Sequence, residues 1–469
     1  MFSTPHVTLA LALVLTAGAC SSSGQGVGPT STAIEQGDRE GGELPRGEAR
    51  EFGPSPNVPT GDLAPGVADA LAVLSRASLD AIVFEDKVDA IETLGASSDP
   101  RVGWVLSDLL RLARDPGDAA RLAGASSEVL GPEFSPFNAW GDVTDHLIAW
   151  DVAEPPGYLD VKRAIFTRIV PEWEPFFEEG ADIDWRYIAW GGVRIDDRPF
   201  DTTDDPCNCI PAADNPDVQP AGEATWLDDD DVVFGVVING ESRAYPRQIM
   251  EVREMVNDTL GGRDFGMPYC TLCGSAQVWF TDDLPDGVDR PVLRTSGLLT
   301  RSNKVMFDLN TFSIFDTFLG TAQSGPLAEQ GISLDQHSVV TSTWVDWREA
   351  HPETTVLIEE LSLDRDFDFR NNRDANGPIF PIGDVDPRLP VQEDVLGVTT
   401  ADGVPLAFHV ASARAALDQG ESIEVDGITL IVDGGGVRAV DTNGDDVGGH
   451  QAFWFAWSQF HPNTELWPN

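Results

Sequence analysis

Two stretches decide how this chain folds: "DVVFGVVINGESRAYP" (Asp231–Pro246) and "DVLGVTTADGVPLAFH" (Asp394–His409). Each is an apolar run, a polar turn and a second apolar run. The first turns at Asn239-Gly240, a pair that tolerates the positive φ a tight hairpin demands. Gly235 answers Gly397, and Gly240 answers Gly403. Downstream, "WVDWREAHPET" (Trp344–Thr354) is answered by "WFAWSQFHPNT" (Trp454–Thr464). In both, a Trp is followed by a second Trp, a His-Pro pair and a Thr at the same spacing. The pattern predicts two copies of one β-rich unit, each closed by a helix.

The duplication sorts the candidate residues. Features in both copies hold the fold, so His351 and His461 are expected in packing or at helix C-termini. Features confined to the first copy are the functional candidates. The second copy is shorter and has no cysteine, so Cys270 and Cys273 in "MPYCTLCGSAQVWF" (Met267–Phe280) stand out. So does "RTSGLLTRSNKVMFDLNTFSIFDTF" (Arg294–Phe318), expected as a strand pair with Asp308 and Ser313 near its turn. Arg243, Glu254, Asn257, Asp258 and Ser296 are further polar candidates.

Upstream of the β-rich part the period is helical. "VADALAVLSRASLDAIVFEDKVDAIETLGASSDPRVGWVLSDLLRLARD" places apolar residues three and four apart, with breaks at Asp, Ser and Pro. The stretch Asp89–Ala113 resembles a HEAT-like helical hairpin: a helix to about Gly95, a turn at Pro100, then a second helix. Another helix is expected over Tyr158–Glu179, broken near Pro171. The expected fold class is α+β, with N-terminal HEAT-like helical hairpins followed by a β-rich, internally duplicated domain. The expected divisions are residues 1–20 as an export signal, 21–60 as a flexible tether and 61–184 as helical hairpins. Residues 185–360 form the first copy, 361–390 a connector and 391–469 the second copy.

The first segment is read as an export signal because "VTLALALVLTAGAC" (Val7–Cys20) is apolar, ends in small residues and is too short for a comfortable bilayer span. Small residues before Cys20 resemble a lipobox. Lipidation at Cys20 and anchoring to the outer face of the cell membrane are therefore expected, with plain secretion as the alternative. Acidic residues outnumber basic ones 78 to 30, a net charge of −48, which repels nucleic acid and anionic head groups. A concave helical surface could take a protein partner, or serve only as a packing module. No phosphate-cradling glycine loop or Ser-His-Asp signature is evident. "DTNGDDVGG" (Asp441–Gly449) lacks the central glycine and the terminal glutamate of a calcium loop, so an acidic turn is expected.

The motifs "CIPAADNP", "GVVINGESRAYP", "EMVNDTLGG", "YCTLCGSA", "TSGLLTRSNKVMFDLNTFS" and "FPIGDVDPRLPVQEDVLGV" together resemble the bacterial domain-of-unknown-function family 3179, over roughly residues 185–465. The resemblance brings no established activity. Members of that family usually read His-Glu where this chain has Arg253-Glu254, and Cys-Pro-Leu-Cys where it has Cys270-Thr271-Leu272-Cys273. They usually carry Trp and Gln where Phe315 and Thr317 stand here. A guanidinium stays protonated, so Arg253 cannot replace a histidine as ligand or base.

Three readings of the cysteines stay open. Cys207, Cys209, Cys270 and Cys273 could wrap zinc, or hold copper(I), because soft thiolates suit both ions. They could instead be structural disulfides in a non-catalytic binding protein or scaffold, two of whose three connectivities link the Cys207/Cys209 loop to the Cys270/Cys273 strand. Or they could carry thiol-redox chemistry. For a hydrolase or oxidoreductase the weak candidates are Glu254, Asp258 and Asp308. Glu254 and Asp258, four apart, would share a helical face if that stretch were helical.

Overall fold

The computed structural model describes residues 44–202, 207–358 and 377–468. The expected export signal, the lipidation site Cys20, the first part of the tether and most of the connector lie outside the described residues. Residues 44–60, expected within the tether, are irregular chain held to the folded part. Arg50 pairs with Asp145 at 2.6 Å, and the Trp150 indole donates to the Gly53 carbonyl.

The helical period is realised as α1 (Pro65–Ser75), α2 (Phe84–Ala96), α3 (Gly103–Leu112), α4 (Pro116–Leu130), α5 (Ala139–Ala149) and α6 (Tyr158–Phe166). Proline opens α1 and α4, where its missing N–H costs nothing, and the Asp115 carboxylate caps α4 through the Asp118 N–H at 3.0 Å. The break at Pro171 falls as expected, with a short 3-10 segment, Pro171–Phe176, after α6. The HEAT-like pairing is overturned. Helix α2 packs mainly on α1 and α4, while α3 packs on α4, α5 and α6, and α6 returns to α1. The reason lies in α3, which is buried at every position from Gly103 to Leu110. A helix buried on all sides becomes the centre of a closed bundle, not the outer half of a hairpin. The core of this bundle continues through Ile188, Leu298, Val305, Phe307 and Ile314, so it is shared with the first sheet of the β-rich part.

Among the described residues the strands form five sheets. In the first copy, β1 (Val232–Ile238) and β2 (Glu241–Pro246) form the expected hairpin, with Asn239 and Gly240 at φ of 51° and 85°. Helix α7 (Arg247–Arg253) follows, then strands β3 (Met255–Leu260), β4 (Arg263–Cys270), β5 (Leu293–Thr300) and β6 (Asn303–Asp308). The copy closes with β7 (Val340–Thr343), α8 (Trp344–Ala350) and β8 (Thr355–Leu357). Strand β7 lies antiparallel to β1, and β8 parallel to β2.

The second copy repeats this order. Strands β9 (Asp394–Thr399) and β10 (Pro405–His409) precede α9 (Val410–Asp418), β11 (His450–Phe453), α10 (Trp454–Phe460) and β12 (Glu465–Trp467). Strand β11 is antiparallel to β9 and β12 parallel to β10. The duplication read from the sequence is thus a duplication of topology. Its signature is a tryptophan lying flat on a glycine. A Cβ on Gly235 would stand 2.2 Å from the Trp347 ring, and one on Gly397 the same distance from Trp457. Each indole N–H donates to the Thr that closes the motif, Thr354 or Thr464. His351 and His461 stack on those indoles at 4.1 and 4.0 Å, at the C-termini of α8 and α10, which is the packing role expected.

The copies dock reciprocally. Gly434, in a hairpin of the second copy, abuts Trp347, and His351 meets Asp433 at 2.7 Å. In return, Gly274 of the first copy packs on the Phe453 ring, and the Cys273 carbonyl accepts the Phe453 N–H at 2.8 Å.

Candidate functional site

The sequence "MPYCTLCGSA" builds the site through a tight turn. Strand β4 ends at Cys270, the Cys273 N–H donates back to the Cys270 carbonyl at 3.1 Å, and Ser275-Ala276 pair with Tyr269-Cys270. Gly274 takes φ of 62°, and a side chain there would strike the Phe453 ring. The turn points both thiols at one acceptor. The Sγ atoms of Cys270 and Cys273 lie 3.8 and 3.6 Å from the Ser302 carbonyl, and that of Cys273 lies 3.7 Å from Asn303 Oδ1. Neither is in a disulfide, and the two are 2% and 0% exposed, in the apolar cluster joining the two copies.

Charge reaches this apolar pocket from two other elements. Helix α7 ends at Arg253, and Glu254 turns left-handed at φ of 51°, its N–H bonded to Met250. The Glu254 carboxylate accepts from Thr271 Oγ1 at 3.2 Å and meets Lys304 Nζ of β6 at 3.1 Å. Lys304 also donates to the Glu254 carbonyl. Burial pushes the Cys270 thiol up, as does the Glu254 charge, but the hydrogen bond with Cys273, the Lys304 backbone N–H and, least of the three, the Lys304 ammonium bring it down to about 7, below an ordinary thiol.

The other two cysteines are elsewhere. Cys207 and Cys209 are bonded to each other in the loop bridged to Arg194. Among the described residues no group of three or more His, Cys, Asp or Glu is placed to hold a metal. The four-thiol cluster and the disulfides linking loop to strand are therefore both corrected. Two residues of "PCNCIP" close on one another within their own loop.

The carboxylates are also dispersed. The helical face expected for Glu254 and Asp258 does not form, because the helix stops before Glu254 and Asp258 lies in β3. Asp258 instead binds Arg243 and the Tyr245 hydroxyl. Asp308 secures a turn through the N–H groups of Val292 and Thr311. Asn257 clamps the backbone of Leu293 from both sides, and Ser296 donates to the Val305 carbonyl. Asp441 likewise organises an acidic turn through the N–H groups of Asn443 and Asp445. These residues hold structure and are committed to partners.

Lys304 was not singled out in the sequence. One signal was available: the chain has three lysines, and all three are buried in ion pairs, with Asp118, Asp108 and Glu254. Where arginine supplies nearly every surface cation, a lysine marks an interior position that suits a compact charge.

A family model described as "Protein of unknown function (DUF3179)" matches residues 207–443, half of the chain. The chain belongs to this family. The matched region runs from the Cys207–Cys209 loop through the dithiol turn and into the second copy. No curated protein and no solved structure matches the chain.

Proposed function

We propose that this family member carries a redox-active dithiol, Cys270 and Cys273, in the first copy of its duplicated domain. The observation behind this reading is the convergence of two thiols on the Ser302 carbonyl, with Lys304 beside them. In the reaction, the Cys270 thiolate attacks one sulfur of a small disulfide oxidant, forming a mixed disulfide and releasing a thiol. Cys273 then gives up its proton and attacks the Cys270 sulfur, releasing the second thiol. Two electrons and two protons pass to the oxidant, and the pair closes to a disulfide.

The depth of the sulfurs favours one further reading, a copper(I) ion held by the two thiolates. Such a soft ion suits sulfur in an apolar pocket, whereas zinc calls for four ligands where this turn offers two. On either reading we propose that the chain is exported and anchored through a lipid on Cys20, which rests on the apolar run Val7–Cys20. Among the described residues no helix is long and apolar enough to cross a membrane.

One experiment separates these readings. The native protein, purified without oxygen, is exposed to oxidised glutathione and its free thiols are counted, with intact mass in parallel. The redox reading expects the thiols of Cys270 and Cys273 to vanish with a loss of two hydrogens and no retained adduct. If both thiols persist in the folded protein, that reading fails. Uptake of one copper(I) per chain, lost in Cys270→Ser, would then assign the site to the metal.

A further inference from the structure

In a chain with so large an excess of acid, nearly every half-buried arginine among the described residues meets a carboxylate. Two that line one small pocket, where the helical bundle meets the first sheet, do not. Arg111 of α3 donates its Nε to the Trp190 carbonyl at 2.7 Å, and its guanidinium lies 4.4 Å from the Trp140 ring and 5.2 Å from the Phe380 ring. Its Nη groups take no protein acceptor among the described residues. Arg301 sits in the turn between β5 and β6 at φ of 52°, its backbone N–H fixed on the Tyr187 carbonyl and its guanidinium 4.4 Å from the Tyr187 ring. It too meets no carboxylate there.

The other charges lining the pocket are already compensated. Arg186 is held by Asp184 and Asp151. The Asp108 carboxylate accepts from the Tyr158 hydroxyl at 2.8 Å and from Lys162 Nζ at 2.7 Å. What remains is two uncompensated guanidinium groups facing one space. Burial without a counter-charge also draws Arg111 down to about 10. An unpaired charge in a half-buried wall is held at a cost, and that cost is relieved when an anion arrives. The volume open to the centre of a water-sized body is about 10 Å³, so only a compact ligand fits.

We propose that this pocket is a binding site for a small monovalent anion, of chloride or formate size, held between Arg111 and Arg301. Aromatic walls and the two cations select a compact charge, and the volume rejects bulky ones. Arg301 adjoins Ser302, the acceptor of both thiols, but the anion site does not depend on the chemistry of the dithiol.

The test uses the full chain at constant ionic strength, replacing sodium isethionate, whose anion is too bulky to enter, by sodium chloride or sodium formate. Tryptophan fluorescence is followed, since Trp140 and Trp190 border Arg111. The expected result is a saturable change with chloride and formate that isethionate does not produce. In Arg301→Gln the half-saturation concentration should rise about tenfold or more, as one charge-assisted partner is lost. A response that never saturates, or that is the same in Arg301→Gln, overturns the proposal. Should that variant fail to fold, Arg301→Lys serves instead: it keeps the charge, loses the fork and is expected to bind more weakly, and unchanged affinity there also overturns the site.

Discussion

At the scale of single residues, the chemistry rests on one thiol and one ammonium. The thiolate absorbance of Cys270 should titrate with a midpoint near 7, and Lys304→Met should raise that midpoint, because a cation that favours the thiolate is removed while the backbone N–H at that position stays. A midpoint unmoved by the substitution would show that Cys273 and that backbone N–H set it. The pair Cys270 and Cys273 was legible in the sequence, since only the first of two copies carries it. Lys304 was not, because it arrives from β6, outside the window in which sequence neighbours can be read as partners. The link between Glu254 and Asp258, conditional on a helix there, does not form for a related reason. Four-residue spacing implies a shared face only if the helix continues, and a left-handed residue at Glu254 stops it.

At the scale of elements, each copy is built on a glycine pressed under a tryptophan. Gly235→Ala and Gly397→Ala should each lower the unfolding free energy by about 1–3 kcal/mol, because a Cβ has no room and the ring has no free direction to move. Denaturant midpoints measured on both variants check this, and a change within error in either would mean that the sheet relaxes around the methyl. These motifs were readable because a local pattern, written twice, reports on packing within one unit. The helices α2 and α3 were found at their expected places, but their partners were not. Apolar periodicity marks which positions are buried and is silent on which neighbour buries them.

At the scale of the whole molecule, buried neutral histidines tie the fold to pH. His450 is held at about 3 and His461 at about 4, in both cases because burial disfavours the imidazolium, with the nearby His461 adding to the effect on His450. The folded state thus binds fewer protons than the unfolded chain between those values and an ordinary histidine. Stability is full above about pH 6.5 and declines as pH falls toward 4 and 3, by on the order of 3–5 kcal/mol for His450. In urea titrations across that window, His450→Gln should show a shallower acid decline than the native protein, and an unchanged slope would mean that other groups carry it. His450 bonds to Gln336 of the first copy and stacks near Phe318, so this titration tests the contact between the copies.

The sequence by itself determined the helical and β-rich parts, the doubled unit and the two cysteines that set the first copy apart. Those features are written in local periodicity and repetition, which report on the burial of one face or the closing of one turn. Only the tertiary structure decided that Cys207 and Cys209 bond to each other and that Lys304 charges the remaining pair. It also left Arg111 and Arg301 on one pocket with no carboxylate paired to either among the described residues. Such pairings join residues far apart in the chain, and they depend on how helices and sheets cross, which is settled when the whole core packs.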